Sequence, residues 1–234
     1  MPEEFDLKIK EIIPRADKVK SFRLEKAAGR HFKAGQFLCA RLKIEAECKR
    51  YLSISSSPTE AGYIEFTKKI TGSVFSKTLD GLRPGDSLII QYPFGKFTLQ
   101  DADKKIAFLS GGIGVTPIRS ICKDAVDRKT GVDIVVIYAN RSLMDIIFRE
   151  DFDGMQQAGA KLRVVHVLCE PAPDFRCVPG LINARVIRDE VPDYAQRKFF
   201  ICGPPGMVEA MQGTLKHELL IEKKNIVTEN FEGY

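Results

Sequence analysis

The hydrophobic rhythm of the chain changes near Lys104, and this change constrains the fold more than any other feature of its 234 residues. Before that point, short segments such as FDLKIKEII, KVKSFRLEK and FLCARLKI are separated by turn signals such as KAGQ and RPGD. Short strands at this spacing indicate a small antiparallel barrel or sandwich. The exception is SVFSKTLDGL, whose apolar spacing predicts a short helix capped by Ser73.

From Lys104 onward, strand-like segments rich in Val and Ile alternate with amphipathic helical segments. The strand-like segments are KKIAFLSG, VDIVVIYAN, KLRVVHVLC, KFFICG and KNIVTENF. Strands of this kind between helices predict a doubly wound parallel sheet. We therefore expect two domains, an antiparallel β-barrel over residues 1–100 and a parallel α/β domain over residues 101–234.

Composition excludes several classes of protein. No run of about 18 apolar residues indicates a membrane span, and the N-terminus lacks the layout of a signal peptide, so we expect a cytoplasmic protein. The six cysteines have no C-x-x-C, zinc or iron–sulfur spacing, and the three histidines are scattered, which predicts no metal site. A net charge of +5 without a basic run argues against nucleic acid. That charge either steers an acidic protein partner or serves solubility alone.

The segment LSGGIGVTPI lies where the first parallel strand turns into the first helix. Ligands bind at the carboxyl ends of strands in such sheets, and Gly112 and Gly114 permit a pyrophosphate to approach closely. We expect Thr116 to cap the helix and Pro117 to occupy its first turn. Pro117 stands where a G-x-G-x-x-G motif has its third glycine, and the alternative is a plain tight turn.

The segment FFICGPPGM ends a later strand at the same edge of the predicted sheet. Cys202 alone would be a core residue. Followed by Gly203, Pro204 and Pro205, it is better explained as a small group packed beneath a ligand.

Five segments, RYLSISSSP, TGSVFS, YPFGKF, SGGIGVTP and CGPPGM, occur in an order and at separations that resemble the ferredoxin–NADP(+) reductase superfamily. The resemblance covers nearly the whole chain. It implies an N-terminal flavin-binding β-barrel and a C-terminal domain for a nicotinamide nucleotide. It also implies hydride transfer between NAD(P)H and the flavin, and single-electron exchange with a partner.

The first segment resembles the family's R-x-Y-S motif, which implies that Arg50 holds the flavin pyrophosphate and Ser53 lies near flavin N5. The aromatic position of the motif is Leu52, and the tyrosine is Tyr51, which strand alternation places on the opposite face. Either Leu52 covers the flavin with aliphatic surface, or Tyr51 makes a different contact, such as one to the ribityl or phosphate region. The hydroxyls of residues 55–57 are expected to be solvated at the exit of the strand.

The resemblance implies further flavin contacts. Thr67 and Lys68 would adjoin the ribityl or adenosine part. Donors at a helix start would come from Gly72, Ser73, Val74 and Ser76. Phosphates near Arg50 and the positive end of this helix favour FAD, with FMN as the alternative.

In the second domain, the resemblance assigns the nucleotide pyrophosphate to Gly112, Gly114, Thr116 and Pro117. It places Cys202 beside the nicotinamide, with Gly203, Pro204 and Pro205 shaping that pocket. The end of the second parallel strand, YANRS, presents Arg141 without an acid, which tilts the expectation from NADH toward NADPH; a solvated surface arginine is the alternative.

The family also has an aromatic against the flavin, preceded two residues earlier by an acid. ENFEGY offers two such pairs, Glu229 with Phe231 and Glu232 with Tyr234. We expect the first pair to serve, since Phe231 directly follows the last strand and chain ends fray. The predicted catalytic residues are Ser53, Cys202, Glu229 and Phe231.

The resemblance thus predicts an NAD(P)H-dependent flavin oxidoreductase whose acceptor is a separate molecule, a small acidic electron carrier such as ferredoxin. The alternatives are the reductase component of an oxygenase, a reductase of free flavin or ferric ions, and a non-catalytic subunit of an electron-transfer complex.

Overall fold

The computed structural model describes residues 1–43, 48–159 and 161–230. The chain forms two compact units. The first comprises Met1–Thr98 together with Thr116–Asp124, and the second comprises Leu99–Val115 and the chain from Ala125 onward. The domain limits 1–100 and 101–234 stay a prediction.

The first unit is built on an antiparallel sheet with the strand order β4-β3-β6-β1-β2-β5. Its elements are β1 (Glu3–Ala16), β2 (Val19–Glu25), β3 (Phe37–Leu42), β4 (Cys48–Ser53), β5 (Tyr63–Lys69), α1 (Val74–Asp80) and β6 (Ser87–Phe94). The sheet curls so that its two edges meet at one bridge, between Ile54 and Phe66. The predicted antiparallel barrel is confirmed in the form of a half-barrel.

Apolar residues on the inner face of this sheet form the core of the first unit. Phe22 and Phe66 are fully buried, and their ring centroids lie 5.2 Å apart in a stacked arrangement. Helix α1 contributes Phe75 and Leu79 to the same core. As predicted, Ser73 caps α1, because its hydroxyl accepts the Ser76 N–H at 3.3 Å.

The second unit is built on a parallel sheet with the order β10-β9-β8-β7-β11-β12. Its strands are β7 (Lys105–Gly111), β8 (Asp133–Asn140), β9 (Leu162–Leu168), β10 (Val178–Pro179), β11 (Lys198–Gly203) and β12 (Ile226–Asn230). The connecting helices are α2 (Val115–Asp127), α3 (Arg149–Gln157), α4 (Ala184–Glu190) and α5 (Pro205–Gly213). The predicted parallel α/β fold is confirmed.

Short helical turns complete the two units. The 3₁₀ turns are Gly112–Gly114, Leu143–Asp145, Tyr194–Gln196 and Lys223–Asn225, and a π turn, Thr214–Glu218, extends α5.

The strand order reverses between β7 and β11. From β7 the chain proceeds to β8 and β9 on one side, whereas β11 and β12 lie on the other. A reversal of this kind opens a crevice at the carboxyl ends of the two strands, which is where α/β sheets bind their ligands. Here those ends are Gly111 and Gly203.

Candidate functional site

A cationic cluster lies at the start of α1 in the first unit. The guanidinium carbon of Arg50 is 5.6 Å from the centroid of the Phe75 ring. Burial lowers the pKa of the Lys68 ammonium, and the positive charge of Arg50 lowers it further. The structure therefore brings Arg50, Lys68 and the start of α1 together, and such a cluster suits a phosphate.

The residues before and within the first turn of α1 are held by hydroxyl contacts. Thr71 Oγ1 donates to Ser73 Oγ at 3.1 Å and lies 3.1 Å from Ser76 Oγ. Val74 is 65% exposed. A Cβ at Gly72 would meet open space, so packing does not require glycine there. The roles of these four residues toward a flavin remain proposals.

Strand β4 presents two different faces. Leu52 packs into the barrel core, whereas Tyr51 is 57% exposed. Ser53 is buried, and its hydroxyl has no hydrogen-bond partner among the described residues. A buried donor left without a partner costs about 1–3 kcal/mol, so this hydroxyl fits a ligand that accepts a hydrogen bond.

The hydroxyl run after β4 is buried, which corrects the expectation of solvated side chains. Ser55, Ser56 and Ser57 have no exposed surface. Ser55 Oγ donates to Glu65 at 2.8 Å and lies 2.9 Å from Thr67 Oγ1. The side chain of Thr67 is therefore part of an internal network, and a contact of this residue with a flavin stays a proposal.

A buried ion pair anchors the same loop, and sequence reasoning missed it. Arg119 forms a two-pronged salt bridge with Glu60, with one nitrogen–oxygen distance of 2.9 Å. Burial raises the pKa of the Glu60 carboxyl, but the Arg119 contacts outweigh burial, and the pKa is lowered. Arg119 also donates to the Ser55 carbonyl at 3.2 Å, and Ser120 donates to the Ser56 carbonyl at 2.6 Å.

The glycine turn of the second unit closes directly on β11. A Cβ at Gly114 would lie 2.3 Å from the carbonyl oxygen of Cys202, so only glycine fits there. Gly112 has a φ of +53° with open space around it. Helix α2 begins at Val115, immediately after this turn, so Thr116 lies inside the helix and does not cap it as predicted. Pro117 follows within the first turn of α2.

The end of β11 supplies the other wall of the crevice. Cys202 is fully buried, and burial together with the charge of Glu229 raises the pKa of its thiol. A Cβ at Gly203 would lie 3.2 Å from the Gly111 nitrogen, which indicates close backbone packing. Pro204 and Pro205 are exposed at the start of α5.

Glu229 lies beside Cys202 in the register of β11 and β12. Burial raises the pKa of its carboxyl to about 7, and Oε2 has no partner among the described residues. Ser110, opposite Cys202 on β7, is a second buried hydroxyl without a described partner, and sequence reasoning missed it. Unpartnered polar atoms at the strand ends fit a polar planar ligand. Phe231, Glu232 and Tyr234 lie outside the described residues.

Arg141 follows β8 at the outer part of the crevice edge. It is 79% exposed, and its Nε donates to Glu170 at 2.8 Å. The Glu170 N–H also donates to the Arg141 carbonyl at 2.7 Å. The sequence showed no acid beside Arg141, because Glu170 comes from the end of the next strand. Separately, within the described part of the chain, no helix is long and apolar enough to cross a membrane.

Two family models match the chain. The oxidoreductase FAD-binding domain matches residues 4–99, and the oxidoreductase NAD-binding domain matches residues 108–213. Together they cover both sites described above. The chain belongs to the ferredoxin–NADP(+) reductase superfamily. The family thus provides the ligands that the two sites fit, FAD at the first unit and NAD(P)H at the second.

Relatives and solved structures agree with this family. The glycine betaine monooxygenase reductase subunit of Pseudomonas aeruginosa is 33% identical over 193 residues, covering 79% of this chain and 52% of the relative. A component of the Na(+)-translocating NADH-quinone reductase of Idiomarina loihiensis is 29% identical over 215 residues, covering 84% and 52%. The chain thus spans about half the length of the curated relatives it matches. A ferredoxin NADP+ reductase from Neisseria gonorrhoeae with bound FAD and NADP superposes with a TM-score of 0.84 at 19% identity, covering 97% of this chain and 98% of that one.

Proposed function

We propose that the chain is a flavoprotein reductase that takes hydride from a nicotinamide nucleotide and delivers electrons singly to a separate protein acceptor. The observation that carries this proposal is the crevice between β7 and β11, where Gly114 packs on Cys202 and where Ser110 and Glu229 present buried polar atoms. This crevice belongs to a chain that also has an FAD-binding domain.

Bound FAD would supply the hydride acceptor and the one-electron chemistry. The protein's part is to bind and orient. Arg50 and Lys68 neutralise the phosphates at the start of α1, and the Ser53 hydroxyl donates to the flavin ring. Gly112 and Gly114 admit the nucleotide pyrophosphate.

Cys202 and Glu229 form the base of the proposed nicotinamide site. The Cys202 thiol stays protonated at neutral pH, because burial raises its pKa. It therefore offers a small neutral contact. Glu229, with a pKa of about 7, holds a proton near neutrality and can exchange it. Phe231 is proposed as the aromatic that covers the flavin.

We further propose NADH as the preferred nucleotide, which reverses the tilt toward NADPH. Arg141 already pairs with Glu170, and the carboxylate would repel a 2′-phosphate while accepting a hydrogen bond from a free ribose 2′-hydroxyl.

The proposed acceptor is a small acidic electron carrier such as ferredoxin, supported by the net charge of +5. A second candidate is the reductase component of an oxygenase, favoured by the 33% identity to the monooxygenase reductase subunit. Parallel rates with a ferredoxin, an iron–sulfur oxygenase component, free FMN and ferric chelate would separate these functions.

Anaerobic stopped-flow reduction with NADH and NADPH in parallel tests the proposal. The purified chain, supplied with FAD, should be yellow and should bleach with NADH within the dead time or in a single exponential. Protein that takes up no FAD would refute the flavoprotein assignment. Protein that binds FAD but reduces no acceptor, natural or artificial, would make it a non-catalytic subunit.

A further inference from the structure

Three aromatic rings form a cluster on the outer face of the first unit, where β3, β4 and β6 lie side by side. The Phe37 and Phe94 rings stack with centroids 5.6 Å apart and planes at 14°. The Tyr51 ring stands perpendicular to both, at 5.8 Å from Phe37 and 5.9 Å from Phe94. We call Phe37, Tyr51 and Phe94 the aromatic shelf.

The ring of Tyr51 is exposed but fixed in orientation. Its residue is 57% exposed, whereas Phe37 and Phe94 are partly buried beneath it. A large aromatic ring that is held by two others and still open to solvent is a surface ready to accept another flat ring, because aromatic pairs favour stacked or edge-to-face contacts.

Leu52 cannot offer the same surface. It is only 9% exposed and packs in the barrel core with residues such as Leu38. Alternation along β4 directs Tyr51 and Ser53 to one face of the strand, and Arg50 and Leu52 to the other.

The shelf adjoins the unpartnered hydroxyl of Ser53. Ser53 and Tyr51 are two residues apart on one face, which separates them by roughly 7 Å along the strand. Phe37 lies directly opposite Ser53 in the β3–β4 register. A flat aromatic surface and a buried donor without a described partner therefore lie side by side, which suits a planar ring with a hydrogen-bonding edge.

We infer that Tyr51, supported by Phe37 and Phe94, provides the aromatic surface for the flavin ring, a role that the family motif gives to the residue at position 52. This inference rests on the proposed FAD binding. Tyr51 is then a positioning residue: it orients the ring so that its polar edge faces Ser53.

FAD titration of the apo-protein tests this inference, with flavin fluorescence as the readout. Stacking on one aromatic side chain contributes enough that Tyr51→Leu should weaken FAD affinity about tenfold. Bound FAD should also fluoresce more strongly in this variant, because the tyrosine ring no longer quenches it. Tyr51→Phe keeps the ring and should bind FAD within about threefold of the original protein. Circular dichroism checks that each variant folds.

Leu52→Met provides the competing arm. A volume-conserving change keeps the barrel core filled, so it isolates any contact between residue 52 and the ring. If Leu52→Met changes FAD affinity and fluorescence while Tyr51→Leu leaves both unaltered, the inference is wrong. If Tyr51→Leu has no effect but the original protein binds FAD, the inference also falls and the proposed function stands. Failure of the original protein to bind FAD would remove both.

Discussion

Replacing Glu229 by glutamine should stabilise the second unit at alkaline pH, because the native carboxyl is costly to ionise where it lies. Burial raises its pKa from the ordinary 4.5 to about 7. Each pKa unit corresponds to about 1.4 kcal/mol between the two protonation states, so ionising Glu229 in the folded chain costs about 3 kcal/mol more than in the unfolded chain.

The sign follows from proton linkage. Between pH 4.5 and about 7 the folded state keeps the Glu229 proton that the unfolded state has released, so stability falls as pH rises through this window. Glutamine cannot ionise. Glu229→Gln should therefore match the original protein near pH 4 and exceed it by about 3 kcal/mol at pH 8.

Urea unfolding of the apo-protein from pH 4.5 to 8.5 measures this difference, with a far-UV signal for the α/β unit. Glu209→Gln, an exposed glutamate on α5, controls for the loss of one charge. A ¹³C NMR titration of the carboxyl groups reads the pKa directly. Parallel pH profiles for Glu229→Gln and the original protein, or a Glu229 pKa near 4.5, would refute the reasoning.

The remaining predictions concern packing, the buried ion pair and nucleotide choice. Gly114→Ala should cost about 1–3 kcal/mol in unfolding free energy and abolish measurable NADH binding in calorimetry, since its Cβ meets backbone at 2.3 Å. The control Gly154→Ala, in α3 with open space around it, should instead stabilise by about 0.5–1 kcal/mol. Glu60→Gln strips the buried Arg119 of its counter-charge and should cost about 3–5 kcal/mol, seen as a lower Tm in scanning calorimetry; an unaltered Tm contradicts this. Glu170→Gln should raise the NADPH-to-NADH ratio of kcat/KM about two- to fivefold, the scale of an exposed pair, and an unchanged ratio would remove Glu170 from nucleotide choice.

The fold was accessible from sequence wherever the information is local. The period of two in β1 to β6, the Val/Ile strands of the second sheet and the cap at Ser73 all depend on neighbours in the chain. The same holds for the glycine turn before α2, although its 3₁₀ geometry lets the helix begin one residue before Thr116.

Non-local partners set the limit of prediction. The hydroxyls of residues 55–57 resemble a solvated run in sequence, because their partner Glu65 lies across a loop and Ser120 is more than sixty residues away. The Arg119–Glu60 pair spans a separation of 59 residues and has no sequence signature. Arg141 was isolated in sequence for the same reason, since its partner Glu170 follows the neighbouring strand.

Tyr51 and Leu52 show how a one-residue displacement in a strand acts physically. Because side chains alternate, an aromatic at 51 instead of 52 faces the opposite side of β4. That change would leave an isolated ring in water, but β3 and β6 place Phe37 and Phe94 beneath it. Leucine at 52 in turn fills the barrel core, where an aromatic would need more volume. The displaced tyrosine and the two phenylalanines thus form one arrangement. Phe94→Leu should therefore loosen the Tyr51 ring and weaken FAD binding in the same direction as Tyr51→Leu, though less strongly.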